Sequence, residues 1–174
     1  ARAVPYCPTL TREVSTFVYE STPAFFADPF FQREADAALV AELQQPERQA
    51  AMRASASAER YKAALAVAKR NLKRASDAGL LVAMGTDSGA FAERFEGYFE
   101  HLELEMMVEA GLSPAEVLRS ATGNAALAMK TPDLGTLEPG RWADFVVLDG
   151  NPLDDIRQTR RIVSVWIAGN EVKR

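Results

Sequence analysis

The sequence predicts an α/β fold followed by a smaller β-rich segment. Three observations indicate this fold class. Residues 29–78 are rich in strong helix formers, residues 80–85 form an apolar run that ends in glycine, and the tail after residue 131 contains short β-rich runs separated by turn residues. A helix, a glycine turn, a buried strand and a polar loop, in that order, are typical of one α/β unit.

The composition excludes some classes of partner. The chain has 174 residues, 48% of them hydrophobic, so it can bury one core or parts of two. Its net charge of −4 comes from interspersed acidic and basic residues, which gives no reason to expect a nucleic acid. No apolar stretch approaches the length of a transmembrane helix, so no membrane partner is expected. The single cysteine excludes an internal disulfide and favours a cytoplasmic location, although it is also compatible with secretion.

The first half of the chain predicts a strand end, an apolar stretch and two helices. Residues 3–7 are typical of a strand that runs into a loop at Pro8. Residues 14–28 predict a short helix or an irregular loop whose aromatic side chains contact the core or a substrate pocket, and we favour the core. Pro46 is expected to divide the following helical region into two helices. In the second, a buried stripe is predicted from Tyr61, Leu65, Ala68, Leu72 and Ala75.

Three more helices are predicted after the buried run. The first spans roughly Phe95–Ala110 and ends at Gly111. Another begins with Ser113 as the N-cap and Glu116 three residues later, the pattern of a capping box. A third, short helix follows Gly123.

The tail predicts a β structure. Residues 132–174 alternate β-rich runs with Pro-Gly, Asp-Gly and Gly-Asn turns. A tight hairpin is predicted across Gly169 and Asn170. The sequence therefore predicts two parts, residues 1–131 and residues 132–174.

Asp87 is the first candidate for chemistry, because it follows the buried run at its carboxyl end. Active sites of α/β barrels and open α/β sheets lie at that end of the strands. Gly85 and Gly89 allow a tight turn around it. Such a carboxylate can bind a metal ion or accept a proton, but it can also cap the next segment, and position alone leaves both open.

The other candidates are weaker. His101 is the single histidine, and a lone histidine on a helix is more often packed or exposed than a metal ligand. Cys7 is expected to be a small buried hydrophobic residue, and Glu103 and Glu105 are expected to form an ordinary helix face. Ser88 has no second histidine and no G-x-S-x-G motif, which excludes a serine hydrolase. Neither common phosphate-binding motif, G-x-x-x-x-G-K-[ST] or G-x-G-x-x-G, occurs.

Four stretches, in order, resemble the C-terminal region of the amidohydrolase superfamily. They are VAMGTDSG, LELEMMVEAGLSPAEVLRSATGNAALAM, LGTLEPGRWADFVVLDGNPLDDI and VWIAGNEV. The similarity covers about residues 80–173 and is closest to the imidazolonepropionase-like and Xaa-Pro or Xaa-Arg dipeptidase group. VPYCPTLT, residues 4–11, resembles the seventh barrel strand with less specificity.

This resemblance implies a metal-dependent hydrolase that acts on a C–N bond through a metal-activated water. Residues 1–131 would supply strands seven and eight of a (β/α)8 TIM barrel with a helical insert, and residues 132–174 part of a β-sandwich. Asp87 matches the strand-eight aspartate, which binds the metal and shuttles the proton. The implied cofactor is a divalent metal, zinc by expectation, as one or two ions. Ser88 and Gly89, next to Asp87, are expected substrate contacts.

The family's other metal ligands cannot be placed in this chain. An HxH pair, a bridging lysine or glutamate and two further histidines would all precede strand seven, and a complete barrel takes ~250 residues. We therefore expect a C-terminal fragment or subunit that is inactive alone. Its expected partners are the N-terminal part of the enzyme, a small amide or dipeptide substrate, and further copies in a homo-oligomer of the complete enzyme.

Two alternatives remain open. A metal-dependent deaminase of the same superfamily also hydrolyses a C–N bond and uses a strand-eight aspartate. A non-catalytic interaction module could instead self-associate through exposed strand edges. For an enzyme, we expect residues 15–31 to help to shape the substrate pocket.

Overall fold

The computed structural model describes residues 4–173, so the predicted strand at residues 3–7 begins outside the described residues. Helices and 3₁₀ turns occupy most of the described chain, and strands occur near its end. The helices are α1 Leu10–Ser15, α2 Pro29–Gln32, α3 Ala37–Leu43, α4 Pro46–Arg53, α5 Ala56–Asp77, α6 Tyr98–Glu109, α7 Pro114–Ala121 and α8 Gly123–Met129. The 3₁₀ turns are Val18–Glu20, Ala24–Ala27 and Ile156–Arg160, and the strands are β1 Phe145–Leu148, β2 Ile162–Ile167 and β3 Asn170–Glu171.

The two predicted barrel strands lie side by side and parallel, but they form a single β-bridge, between Tyr6 and Val82. The Tyr6 amide donates to the Leu81 carbonyl at 2.8 Å, and the Ala83 amide donates to the Tyr6 carbonyl at 3.0 Å. On the other side, the Val82 carbonyl accepts from the Asn124 side chain at 2.9 Å. Within the described residues this run is paired as a strand at Val82 alone, so the full strand predicted over residues 80–85 is not formed there.

Residues 29–78 contain four helices instead of the two predicted. Pro46 begins α4, as expected for a proline in the first turn. The additional boundaries are set by side-chain caps, since Asp36 accepts from the Ala38 amide at 2.8 Å and Ser55 accepts from the Ser57 amide at 3.2 Å. The predicted stripe of α5 faces inward, with Leu72 and Ala75 buried and its other members partly buried.

The capping box of α7 is confirmed. The Ser113 hydroxyl accepts from the Glu116 amide at 3.3 Å, and the Glu116 carboxylate accepts from the Ser113 amide at 2.7 Å. The preceding helix, α6, begins at Tyr98 instead of Phe95, because Gly97 has a φ of +82°, outside the helical region. None of the described helices is both long and apolar enough to cross a membrane.

Two hydrophobic clusters form the interior. The first joins α1, α5, α6 and α7 around side chains that include Leu10, Leu72 and Met107. The second is mainly aromatic and packs the first two 3₁₀ turns, α2 and α3 against the start of α6. Tyr19 and Phe26 lie in this aromatic cluster, which confirms the core assignment for these two side chains.

The tail forms an antiparallel sheet of order β1-β2-β3. The rings of Phe145 and Trp166, which are partners in the register, stack with centroids 5.5 Å apart. Ile167 pairs with Asn170, so the hairpin turn lies at Ala168 and Gly169 and not at Gly169 and Asn170 as predicted. Both turn residues have a positive φ, which a two-residue turn of this twist requires. The complete barrel, the sandwich and the boundary at residue 131 remain predictions.

Candidate active site at the end of the buried run

Asp87 lies in a turn that follows the parallel segment, in which Val82 and Ala83 are buried and Leu80, at its start, is exposed. Its φ of +61° is left-handed, a conformation that aspartate and asparagine tolerate better than most residues. Gly85, two residues before Asp87, packs closely against Cys7, since a Cβ atom at Gly85 would lie 2.5 Å from the Cys7 Sγ. The Asp87 side chain is 47% exposed, so its carboxylate faces solvent while its backbone is held from both sides.

A buried arginine holds the carboxylate of Asp87. Arg94 Nη1 donates to Asp87 Oδ2 at 2.5 Å, and the Arg94 side chain is only 9% exposed. Arg94 Nε donates to the Ser15 Oγ at 3.1 Å, and its guanidinium lies over the Phe91 ring. Within the described residues, Asp87 Oδ1 accepts no hydrogen bond. One oxygen is therefore fixed and the other is free to meet a ligand.

The residues on either side of Asp87 are joined by a small network of hydroxyl groups. The Ser88 hydroxyl donates to Thr86 Oγ1 at 2.8 Å, and Thr86 Oγ1 donates to Glu100 Oε1 at 2.9 Å. Glu100 also accepts from the Gly97 amide at 2.7 Å, which ties the turn to the start of α6. The Ser88 hydroxyl proton therefore takes part in a hydrogen bond within the turn, and the Ser88 oxygen can still accept one.

Gly89 closes the turn against Glu96. Its φ is +73°, and a Cβ atom there would lie 2.2 Å from Glu96 Oε1. Its amide donates to the Arg94 carbonyl at 3.3 Å. The positive φ favours glycine at this position, whereas the Glu96 carboxylate is the end of a flexible side chain that can move aside.

Glu103 is a buried carboxylate that the sequence reasoning missed. It is fully buried, so its assignment to an ordinary exposed helix face was wrong. It accepts from the Leu10 amide at 2.8 Å, from the Thr11 amide at 2.7 Å and from the Thr11 hydroxyl at 2.9 Å. Burial raises the pKa of Glu103, and these hydrogen bonds oppose that rise.

One sequence signal could have identified Glu103. Phe99 and Met107, four residues to either side on the same helix, are fully buried. An acidic residue between two core residues at helical spacing faces inward, and it must then find hydrogen-bond donors.

Cys7 is exposed, so its assignment as a small buried hydrophobic residue was wrong. It lies against the glycine of the neighbouring segment, and its Sγ is 3.4 Å from the Thr9 hydroxyl.

His101 is packed against other side chains, one of the two ordinary roles expected for it. The Thr159 hydroxyl donates to the Ile156 carbonyl at 2.8 Å, and His101 Nδ1 lies 2.9 Å from the same hydroxyl oxygen. With its hydrogen on Nδ1, the neutral imidazole donates to that oxygen. The Phe30 ring contacts the imidazole edge to face. Burial, with a smaller contribution from the charge of Arg160, lowers the pKa of His101 to about 4.

The pKa of His101 predicts a loss of stability in acid. The unfolded chain binds a proton at His101 below about pH 6.5, whereas the folded chain binds it only below about pH 4. We therefore expect the free energy of unfolding to fall by up to about 3 kcal/mol between these pH values. Urea unfolding of the wild type and of His101→Asn, at pH 7 and pH 4.5, measures this.

The asparagine variant keeps a side-chain donor for Thr159 but does not titrate. Burial raises the pKa of Glu103 and Glu105, and those shifts act in the opposite direction, toward greater stability as the pH falls. The wild type and His101→Asn share these two shifts. The difference between their free energies of unfolding therefore reports the titration of the histidine alone. An equal difference at both pH values would contradict the prediction.

A groove of about 540 Å³ lies beside the start of α6. Four aromatic side chains, Phe30, Phe31, Phe95 and Tyr98, line it, and so does Glu96, which lies close to Gly89. The residues lining it are Phe30, Phe31, Arg33, Glu34, Ala35, Phe95, Glu96, Gly97, Tyr98, His101 and Ile162. Of the residues 15–31 expected to shape a pocket, Phe30 and Phe31 are the ones that line this groove.

Asp87 fits a metal site only as one donor among several. Over residues 4–173, no three histidine, cysteine, aspartate or glutamate side chains cluster closely enough to hold an ion. A free, solvent-facing carboxylate oxygen is a suitable ligand for zinc or another divalent ion. The donor set of this chain therefore fits a site that other residues complete.

A carboxylate that follows a parallel β-bridge, next to helices, lies where α/β folds carry their functional sites. Residues 33–172 match the family model described as the amidohydrolase family. The chain belongs to the amidohydrolase family.

Individual relatives include hydrolases and deaminases. Ochratoxinase from Aspergillus niger is 35% identical over 102 residues, which cover 55% of this chain and 20% of that protein. Imidazolonepropionase from Deinococcus deserti is 36% identical over 104 residues, covering 58% of this chain and 26% of that protein. Adenine deaminase from Serratia proteamaculans is 50% identical over 66 residues, which cover 38% of this chain and 10% of that protein. The chain thus spans a fifth to a quarter of the length of the first two.

A solved structure shows the same fold over almost the whole chain. A Xaa-Pro dipeptidase with bound methionine in its active site aligns with a TM-score of 0.64 at 23% identity. The alignment covers 98% of this chain and 34% of that one. These comparisons confirm the resemblance to the C-terminal region of the superfamily.

Proposed function

We propose that this chain is the C-terminal part of a metal-dependent amidohydrolase that hydrolyses a C–N bond in an amide or peptide-like small molecule. Asp87 is its metal ligand and proton shuttle. The observation that carries the proposal is the free Oδ1 of Asp87 at the end of the parallel segment, in a chain of the amidohydrolase family. The remaining ligands come from the N-terminal part of the enzyme.

Asp87 performs two proton transfers in this proposal. Its carboxylate accepts a proton from the attacking water as the oxygen bonds to the substrate carbonyl carbon. The same carboxyl then donates that proton to the nitrogen as the C–N bond breaks. When bound, a divalent ion, zinc by expectation, supplies Lewis-acid polarisation of the carbonyl and eases deprotonation of the water.

The neighbours of Asp87 are proposed substrate contacts. Ser88 donates its own proton to Thr86, so its hydroxyl oxygen can accept a hydrogen bond from the substrate. Gly89 has no side chain, so a substrate can approach its backbone closely. We further propose that the complete enzyme is a homo-oligomer.

Asp87→Asn in the complete enzyme tests the proposal. Asparagine keeps the shape and the backbone tolerance but cannot shuttle a proton, so we expect turnover to fall by about a thousandfold or more. We also expect the bound metal, measured by elemental analysis, to decrease. Asp149→Asn is the matched control, because Asp149 is another exposed aspartate that pairs with an arginine, Arg161.

Turnover and metal content that are unchanged in Asp87→Asn would overturn the proposal and favour a non-catalytic interaction module. Light scattering on the 174-residue chain would then test whether such a module self-associates.

A deaminase is the second candidate. The adenine deaminase relative, 50% identical over 66 residues, favours it. The two functions differ in the product, because a deaminase releases ammonia from an amino-substituted ring, whereas an amidohydrolase of amides releases a carboxylate. Assays of ammonia and of new carboxyl groups, with both substrate classes, distinguish them.

A further inference from the structure

We infer that helix α1, Leu10–Ser15, is a positioning platform for Asp87. Two of its polar side chains, Thr11 and Ser15, lie one helical turn apart and are both buried. Each reaches a different side of the Asp87 turn. The inference deepens the proposed function, on which it rests, by assigning positioning roles to residues outside the turn.

Thr11 contacts the backbone that precedes Asp87. Its hydroxyl is 3.1 Å from the Thr86 carbonyl oxygen and 2.9 Å from Glu103 Oε2, and it shares its one proton between these two acceptors. All three residues are buried. A buried hydrogen bond to the Thr86 carbonyl restricts the peptide plane that leads into Asp87, whose left-handed backbone needs such restraint.

Ser15 contacts the side chain that holds the carboxylate. Its hydroxyl donates to the Arg12 carbonyl at 2.8 Å, which leaves its lone pairs to accept from Arg94 Nε at 3.1 Å. Arg94 then presents Nη1 to Asp87 Oδ2. The guanidinium is planar, so fixing Nε also fixes the direction in which Nη1 points.

Glu103 fixes the platform itself. Thr9 precedes α1 but makes no side-chain cap, so the first helical amides, of Leu10 and Thr11, require another acceptor. The buried Glu103 carboxylate accepts from both. α1 therefore has a fixed position relative to α6, and the turn that contains Asp87 is positioned with it.

Amide hydrogen exchange in the 174-residue chain tests the inference. The reporters are the Ser88 amide, which donates to Thr86 Oγ1, and the Gly89 amide, which donates to the Arg94 carbonyl. Thr11→Val removes the hydroxyl but keeps the shape, and Arg94→Gln removes the charge. In both we expect these amides to exchange about tenfold faster, relative to amides of α5. Thr11→Ser should restore the slow exchange.

Arg160→Gln is the matched control. Arg160 is also largely buried and pairs with Asp28 and Glu105, away from the turn. Its loss should destabilise the fold without a selective change at Ser88 and Gly89. Unchanged exchange in Thr11→Val and Arg94→Gln, or an equal acceleration in Arg160→Gln, overturns the inference. Ser15→Ala is the milder variant if Arg94→Gln fails to fold, and it is expected to accelerate the same amides.

A second readout in the complete enzyme separates positioning from stability. Thr11→Val is expected to lower kcat about tenfold while KM and metal content stay unchanged, and Thr11→Ser is expected to restore kcat. A kcat that stays at the wild-type value in Thr11→Val would overturn the positioning role. The hydrogen-exchange experiment tests the positioning role whether or not the proposed function is correct. The proposed function is tested by a different result, the turnover of Asp87→Asn.

Discussion

Replacing Glu103 with alanine is expected to lower the free energy of unfolding by about 4 kcal/mol. The variant leaves the buried amides of Leu10 and Thr11 without their acceptor, and each unpaired buried donor costs about 1–3 kcal/mol. The Thr11 hydroxyl keeps the Thr86 carbonyl as an acceptor. Removing the side chain also leaves a cavity beside Met107, which is itself fully buried. Urea unfolding followed by circular dichroism measures this loss.

Two variants check the cause of the Glu103 effect. Glu103→Gln keeps one acceptor oxygen but turns an NH₂ group toward a donor, so we expect a loss of about 2 kcal/mol. Glu109→Ala removes a carboxylate from the same helix, but that carboxylate is 62% exposed, so a change within about 0.5 kcal/mol is expected. Equal losses in Glu103→Ala and Glu109→Ala would contradict the assignment.

Phe99→Ala is expected to destabilise the chain by a similar amount, about 3–5 kcal/mol. The Phe99 side chain is fully buried in the aromatic cluster, and its ring centroid lies 6.3 Å from that of Phe25 and 6.5 Å from that of Phe95. Truncation removes the contacts with these rings and leaves a cavity that the rigid neighbours cannot fill completely.

Thermal unfolding and urea titration of Phe99→Ala measure the loss. Phe91→Ala is the control, because the same substitution at a side chain that is 59% exposed should cost less than about 1 kcal/mol. If both variants lose equal stability, the aromatic cluster does not contribute as the structure indicates.

Much of the fold could be predicted where the determining contacts are local. The capping box of α7 joins residues three positions apart, and the stripe of α5 depends on helical periodicity alone. The position of Asp87 after a buried run could likewise be read from the sequence. These features need no knowledge of which segment packs against which.

The features that the sequence did not reveal depend on contacts between distant segments. Glu103 accepts hydrogen bonds from Leu10 and Thr11, which lie 93 and 92 positions earlier in the chain. Ser15 lies 79 positions from Arg94. The exposure of Cys7 depends on which distant segments cover it in the fold, and the local sequence does not give this. The extra helix boundaries arose from single capping side chains, which periodicity in a helix-rich stretch does not resolve.

The left-handed backbone of Asp87 determines which substitutions can isolate its chemistry. Alanine at this position removes the carboxylate, and glutamate displaces it. Both also pay a conformational cost at a φ of +61°. Asparagine shares the tolerance of aspartate for this region, so it changes the chemistry of the side chain and little else. A mutational scan of this position would therefore measure two quantities together, and asparagine is the substitution that separates them.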